Sequence, residues 1–195
     1  MLPEYFALIG VGIASLGGFY YLYCTLRGTV RPHKMTYFFF GLFSLIAFAS
    51  QLSQGVGMIA WATFIAGLTP FIILVAASFN SNAYWQIKRT DYLYGIIAVL
   101  AMVIWYITNE PNIALALALI ADFFVAIPTL IKTYQYPKTE SWQAYGINAV
   151  GFGVGIFSIH TWTFENYAFL VYLFVVNVSI TALALALRNE SPVAQ

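Results

Sequence analysis

Charge is scarce in this chain. Of its 195 residues only 8% are Asp, Glu, Lys or Arg and 62% are hydrophobic, whereas soluble domains carry roughly 25% charged residues. The mean hydropathy is +0.82, which excludes a water-soluble globule. Eight cations against seven anions leave no basic surface for displacing counterions, so nucleic acid is excluded as a partner. A single cysteine, Cys24, rules out an intrachain disulfide. Cys24, His33 and His160 share no short ligand spacing, so neither a metal site nor a bound cofactor is expected. Residues 1–5 lack the cationic stretch of a cleavable signal and run directly into an apolar segment too long for a signal core. The first helix is therefore expected to be retained.

What is abundant is apolar sequence cut at regular intervals. Crossing roughly 30 Å of hydrocarbon takes about 20 residues at 1.5 Å each, and seven segments qualify: 5–26, 36–54, 58–79, 92–108, 113–134, 142–160 and 167–187. Turn residues separate them, among them Arg27-Gly28, Gly55-Val56-Gly57, Asn109-Glu110-Pro111 and Pro137-Lys138. With seven crossings the loops alternate between two sides. Arg27, Arg31, Lys34, Lys88, Arg89, Lys132, Lys138 and Arg188 then share one side, and Glu4, Glu110 and Glu165 the other. Cations gather in cytoplasmic loops, so this split predicts a multi-pass protein of the plasma (inner) membrane with its N-terminus outside and its C-terminus cytoplasmic. Tyr5, Tyr37, Trp85, Tyr92, Trp142, Trp162 and Tyr167 suit an interfacial aromatic belt.

The stretch that starts at Phe19 resembles the stretch that starts at Phe123. With one residue inserted in the second loop, Phe19, Thr25, Leu26, Thr29, Pro32 and Gly41 fall on Phe123, Thr129, Leu130, Thr133, Pro137 and Gly146, and Thr36-Tyr37 falls on Ser141-Trp142. Each copy places Thr-Leu at the end of an odd-numbered helix, then a basic loop with one proline, then a hydroxyl-aromatic pair that opens the next helix. The chain thus parses as an all-α membrane protein of seven helices arranged 3+1+3. Its parts are a first triple-helix repeat (1–80), a linker helix (81–112), a second, parallel triple-helix repeat (113–187) and a cytoplasmic tail (188–195).

In this layout, and in Ala126-Ile127-Pro128-Thr129-Leu130-Ile131-Lys132 followed by Lys138-Thr139-Glu140-Ser141, the chain resembles the PQ-loop superfamily of SWEET and SemiSWEET sugar transporters and related vitamin transporters. The Pro-Gln dipeptide of that family is Pro128-Thr129 here and Cys24-Thr25 in the first repeat. The resemblance implies alternating access between two repeats around a midplane site. It also implies a pocket asparagine on the third helix of a repeat, which falls on Asn177, with Gly67 and Thr69 in the corresponding region of the first repeat. Asn148, Ser44 and Gln51 lie on helices whose counterparts line the family's pathway, and Pro128 holds the family's hinge position. Pro70 interrupts the third helix in a similar way, since a missing N–H frees a carbonyl and permits a kink.

Asp122 is the residue that chemistry singles out directly. It stands mid-way along the fifth segment, the only carboxylate inside any span, and an ionised Asp at that depth costs roughly 2.5 to 3.5 kcal/mol on insertion scales. No Lys or Arg lies within a span to pair with it except Lys132, ten residues away at the cytoplasmic end of the same segment. It is expected to face a polar cavity, where it either binds substrate hydroxyls or couples transport to protons. Gly151 and Gly155 form a small-xxx-small pair suited to close helix packing.

The function expected from these residues is transport of a small polar, largely uncharged solute, sugar-like for preference, with Asp122, Asn177, Asn148, Gln51, Ser44 and Thr69 as binding residues and Pro128 and Pro70 as hinges. The partners are that solute and the lipid bilayer, with homo-oligomer formation left open. A receptor of the same fold is the alternative, although it lacks an intramembrane arginine for a peptide terminus. A retinal protein is excluded because 167–187 holds no lysine. No enzyme is expected, since Asp122 has no second carboxylate or Cys/His partner in view.

Overall fold

The computed structural model describes residues 2–80 and 89–188. Trp85 and Lys88, the opening of the linker at 81–88 and the tail beyond Arg188 lie outside the described residues. Seven α-helices run through the rest: α1 (Phe6–Leu26), α2 (Lys34–Ser53), α3 (Ala60–Ala77), α4 (Arg89–Thr108), α5 (Pro111–Gln135), α6 (Trp142–Phe157) and α7 (Phe164–Leu187), with a short 3-10 turn at Pro137–Thr139. No strand interrupts them among the described residues.

The breaks fall where the turn residues stand. Gly28, Gly55 and Asn109 take left-handed φ values of 69°, 72° and 52° at the ends of α1, α2 and α4, a conformation that Gly adopts freely and Asn tolerates. α5 begins two residues before the expected start because Pro111 occupies its first turn, where the missing N–H has no helical partner to lose. Ser141 caps α6 by accepting from the Ala144 N–H. α6 stops at Phe157 rather than at residue 160, because the Ser158 and Ile159 N–H groups turn back to Gly155 and Ile156. His160 consequently lies in the connection to α7.

Five helices, α1, α2, α3, α5 and α7, are long and apolar enough to cross a membrane, and α4 carries a shorter apolar stretch, Tyr92–Thr108. α6, at 16 residues, spans about 24 Å. Leu16, Phe19, Val75, Val99, Ile107 and Val150 all point outward and are more than half exposed, a surface that suits acyl chains and not water. The molecule is an all-helical, multi-pass membrane protein.

Each helix has a definite set of neighbours. α1 packs on α3 and α6, α2 on α3 and α5, α6 on α7, and α5 on α7 and α4. The closest approach is between α1 and α6. A Cβ on Gly10 would stand 2.5 Å from the Gly151 carbonyl oxygen, and one on Gly151 would stand 2.5 Å from the Ala14 nitrogen. Gly151 thus does what a small-xxx-small position allows, with α1 as the helix that approaches. Buried apolar residues form two clusters. The larger includes Ala60, Leu115, Ile159 and Phe169; the smaller is built around Tyr21, Tyr37, Tyr145 and Ile180.

Candidate functional site

Between these clusters the helices leave a central cavity of about 100 Å³, several times the space a single water needs. α1, α2, α3, α5, α6 and α7 all contribute to its wall, and Ser44, Thr69, Pro70, Asp122, Asn148 and Asn177 line it together. Two sequence-predicted residues lie elsewhere. Gln51 is fully buried outside the cavity, where its Nε2 donates to the Glu165 carbonyl at 2.8 Å and ties the end of α2 to the start of α7. Pro128 is exposed on the outer face of α5. Both α3 and α5 remain helical through their prolines.

The carbonyls freed by those prolines have different surroundings. Pro128 offers no N–H to the Phe124 carbonyl, which instead accepts from the Tyr94 hydroxyl of α4 at 3.2 Å. Pro70 withholds its N–H from Ala66, and Ala66 lines the cavity.

Asp122 is 3% exposed and sits near the middle of α5. Its Oδ2 accepts from the Tyr172 hydroxyl at 2.7 Å, while its Oδ1 is buried with no hydrogen-bond partner. Asn177 is 7% exposed. Its Nδ2 donates to the Leu173 carbonyl one turn back at 2.8 Å, and its Oδ1 likewise has no partner. Asn148 Oδ1 is the third such atom on the cavity wall. Its side chain sits directly against Gly17, where any Cβ would overlap it. Native structures pair most buried polar atoms. Six lack a partner among the described residues, three of them on residues of the cavity wall and the others on Thr25, Gln51 and Thr63 away from it. For the wall residues an unfilled binding site is one explanation.

Tyr172 was not singled out by the sequence reading. A tyrosine well inside an apolar helix, away from the interfacial belt, was the available signal, since a buried phenol needs a partner. The lining positions on α7 are Tyr172, Leu173, Val176, Asn177 and Ile180, and those on α3 are Ile65, Ala66, Thr69, Pro70 and Ile73. The same five-position pattern thus recurs 107 residues later, with Ile65 answering to Tyr172 and Pro70 to Asn177. Asn177 and Tyr172 supply polar groups where the first set has none.

At the end of the cavity where the cations gather, Tyr21, Tyr37 and Tyr145 form the wall. Tyr21 donates to Glu140 Oε2 at 2.9 Å, and the Tyr37 and Tyr145 hydroxyls meet at 3.3 Å. Glu140 is buried and ion-paired with Lys132. Lys132 also donates to the Arg31 carbonyl at 2.7 Å, and the Arg31 N–H donates to the Thr139 carbonyl at 3.2 Å. This network ties α1 and the loop after it to the turn after α5 at that end of the cavity. Glu140 too was missed as an interior residue, because an acid in a basic loop reads as solvent-facing.

At the other end, Ser50 donates to the Pro111 carbonyl at 2.6 Å and the Leu2 N–H donates to the Phe157 carbonyl at 2.8 Å, over a close-packed apolar cluster. The arrangement is a small, largely apolar cavity whose wall includes Asp122, Asn148 and Asn177, each with a buried oxygen that has no partner.

Comparison of the chain with protein-family models, with curated proteins and with solved structures finds no match.

Proposed function

We propose that this protein is a carrier for a small polar solute, which it moves by alternating access between two triple-helix repeats around the central cavity. The observation that carries this reading is the set of unpartnered oxygens of Asp122, Asn148 and Asn177 on one chamber wall. Intramembrane polar groups are costly, and when they face a cavity they mark solute or proton paths.

Several features support the repeat arrangement and the likeness to PQ-loop transporters. The neighbour pattern is preserved when α1, α2 and α3 are exchanged for α5, α6 and α7: α1 on α3 becomes α5 on α7, α2 on α3 becomes α6 on α7, and α1 on α6 becomes α5 on α2. α4 stands apart as a linker against α5. The lining pattern common to α3 and α7 follows the same exchange. The clustering of Arg31, Lys132 and Lys138 near one end of the helices favours that end as cytoplasmic.

The carrier works by breaking one seal at a time. The Tyr21–Glu140–Lys132 network opens the chamber to the cytoplasm when released, and the apolar contacts of the opposite end open it outward. Asp122 holds the solute, a proton, or each in turn.

The test is uptake into proteoliposomes holding the purified chain, across a panel of labelled sugars, vitamins, amines and amino acids. At least one solute is expected to accumulate, and Asp122→Asn is expected to reduce its rate roughly 10- to 100-fold, the worth of a hydrogen bond to a charged group. Dependence of the rate on an imposed proton gradient, lost in Asp122→Asn, would assign Asp122 to proton coupling. Absence of uptake for every solute in the panel would refute the carrier.

A further inference from the structure

Two quantities limit what the central cavity can hold: its volume, and the number of polar groups on its wall that are not already bonded within the protein. At about 100 Å³ it has about two-thirds of the space of an apolar cavity that admits benzene. That is room for between about four and six heavy atoms. A hexose, with roughly twice as many, overfills it.

Most polar groups on the wall are spent or buried. The Tyr172 hydroxyl donates to Asp122 Oδ2, the Tyr21 hydroxyl to Glu140, and Asn177 Nδ2 to the Leu173 carbonyl. Asp122 Oδ1, Asn148 Oδ1 and Asn177 Oδ1 have no partner, but they are enclosed by packing and present no surface to a ligand; Asn148 Oδ1 is pressed on Gly17. What remains in the cavity is the Ser44 hydroxyl on α2, the Thr69 hydroxyl on α3 and the Asn148 amide Nδ2 on α6, which make no hydrogen bond among the described residues. The Tyr37 and Tyr145 hydroxyls keep one further proton between them at the cation-rich end. Ala14, Phe40, Ile65, Ile73, Phe152 and Ile180 make much of the rest of the wall apolar.

A sugar brings a hydroxyl on nearly every carbon, each of them donor and acceptor at once. On this wall most of them would give up water without gaining a partner, which costs binding energy at each. A three-carbon polyol brings as many hydroxyls as there are open groups on Ser44, Thr69 and Asn148, and its C–H edge suits the apolar remainder. Charge of either sign finds no counterpart. No Lys or Arg is among the residues that line the cavity, and of the Asp122 oxygens one is taken by Tyr172 and the other is buried.

We infer that the solute is an uncharged polar molecule of three-carbon size, of the short-polyol kind, which binds to Ser44, Thr69 and Asn148 with its C–H edge against the apolar wall. This inference rests on the carrier reading and narrows its substrate class to something smaller than the sugar that the family resemblance implies. Of the roles open to Asp122 it leaves the proton.

The experiment is uptake of labelled glycerol, glucose and glycerate into proteoliposomes holding the purified full chain, each rate corrected for protein-free vesicles. Glycerate keeps the three carbons and adds a charge; glucose keeps the hydroxyl chemistry and doubles the size. Glycerol is expected to enter roughly tenfold or more faster than either, and Thr69→Val to slow it roughly three- to tenfold, the worth of one hydrogen bond between neutral groups. The ranking of solutes on the unaltered protein needs no variant to fold.

Glucose entering as fast as glycerol would overturn the size limit, and glycerate entering as fast as glycerol would overturn the uncharged class; either result leaves the carrier standing. Unchanged glycerol uptake in Thr69→Val would overturn the placement of the solute at that hydroxyl. Glycerol entry no faster than in protein-free vesicles would overturn the inference as a whole, and the wider solute panel then decides the carrier separately, because uptake of some other solute would preserve it.

Discussion

Two carboxylates are buried in this protein to the same degree, and they are treated in opposite ways. Asp122 on α5 and Glu140 in the turn before α6 are each 3% exposed, and each accepts a hydrogen bond from a tyrosine of a distant helix, Tyr172 at 2.7 Å and Tyr21 at 2.9 Å. Glu140 also has Lys132, which is held in turn by the Arg31 carbonyl. Asp122 has no cation on the chamber wall and one oxygen with no partner. Burial alone therefore does not mark a functional acid here. The mark is an incomplete set of partners beside a cavity, since a group left uncompensated costs stability that only a ligand or a proton can return.

Removing the partner that makes Glu140 complete has the largest expected effect. Lys132→Met turns a paired carboxylate into a lone buried charge and is expected to cost about 3 kcal/mol, the low end of the range for breaking a buried pair, because the lysine is partly exposed. Unfolding in mixed micelles measures it. The double variant Lys132→Met/Glu140→Gln is expected to recover most of the loss, since the orphaned charge is then gone. If the single variant is as stable as the unaltered protein, Glu140 is not held by its ion pair and the contrast with Asp122 fails.

A smaller effect is expected from the matching change at the other acid. Tyr172→Phe leaves both Asp122 oxygens without a protein partner and is expected to cost about 1.5 kcal/mol, the lower figure for a hydrogen bond to a charged group because the cavity can admit water. In an Asp122→Leu background the same substitution is expected to cost nothing measurable. A double-mutant cycle on unfolding free energies checks this. A coupling near zero would mean that the two side chains do not share a bond in the membrane.

The contrast between the acids also shows what could be seen in the sequence. Asp122 was legible because a charge within 20 apolar residues has no innocuous place to go. The helices were legible for the same reason, and their ends for another: Gly28, Gly55, Asn109 and Pro111 break or start helices by local sterics alone. Asn148, Asn177, Ser44 and Thr69 reach the chamber from four helices, and the face of a helix that is apolar all round is set by its neighbours, so composition could not separate them from Gln51. Gln51 is a polar residue on an otherwise apolar helix as well, and it serves as a backbone tie to Glu165. Glu140 was hidden because its burial comes from packing against α1, whose Tyr21 stands 119 residues away in the chain, a contact that no local pattern records.

The smallest effect applies the same contrast to the two prolines. Pro128 and Pro70 each strip a carbonyl of its helical partner, but the Phe124 carbonyl regains one from Tyr94, while Ala66 stands at the chamber. A freed carbonyl inside a membrane protein needs a neighbour's donor or a wet cavity, and one proline uses each solution. Tyr94→Phe is therefore expected to destabilise by about 0.6 kcal/mol, the average for an interhelical side-chain hydrogen bond in a membrane, measured by the same micellar unfolding. Replacing Pro128 by Ala restores the N–H that Phe124 lacks, so Tyr94→Phe is expected to cost nothing in that background. If the cost persists there, the Tyr94 hydroxyl anchors α4 to α5 for a reason unrelated to the proline.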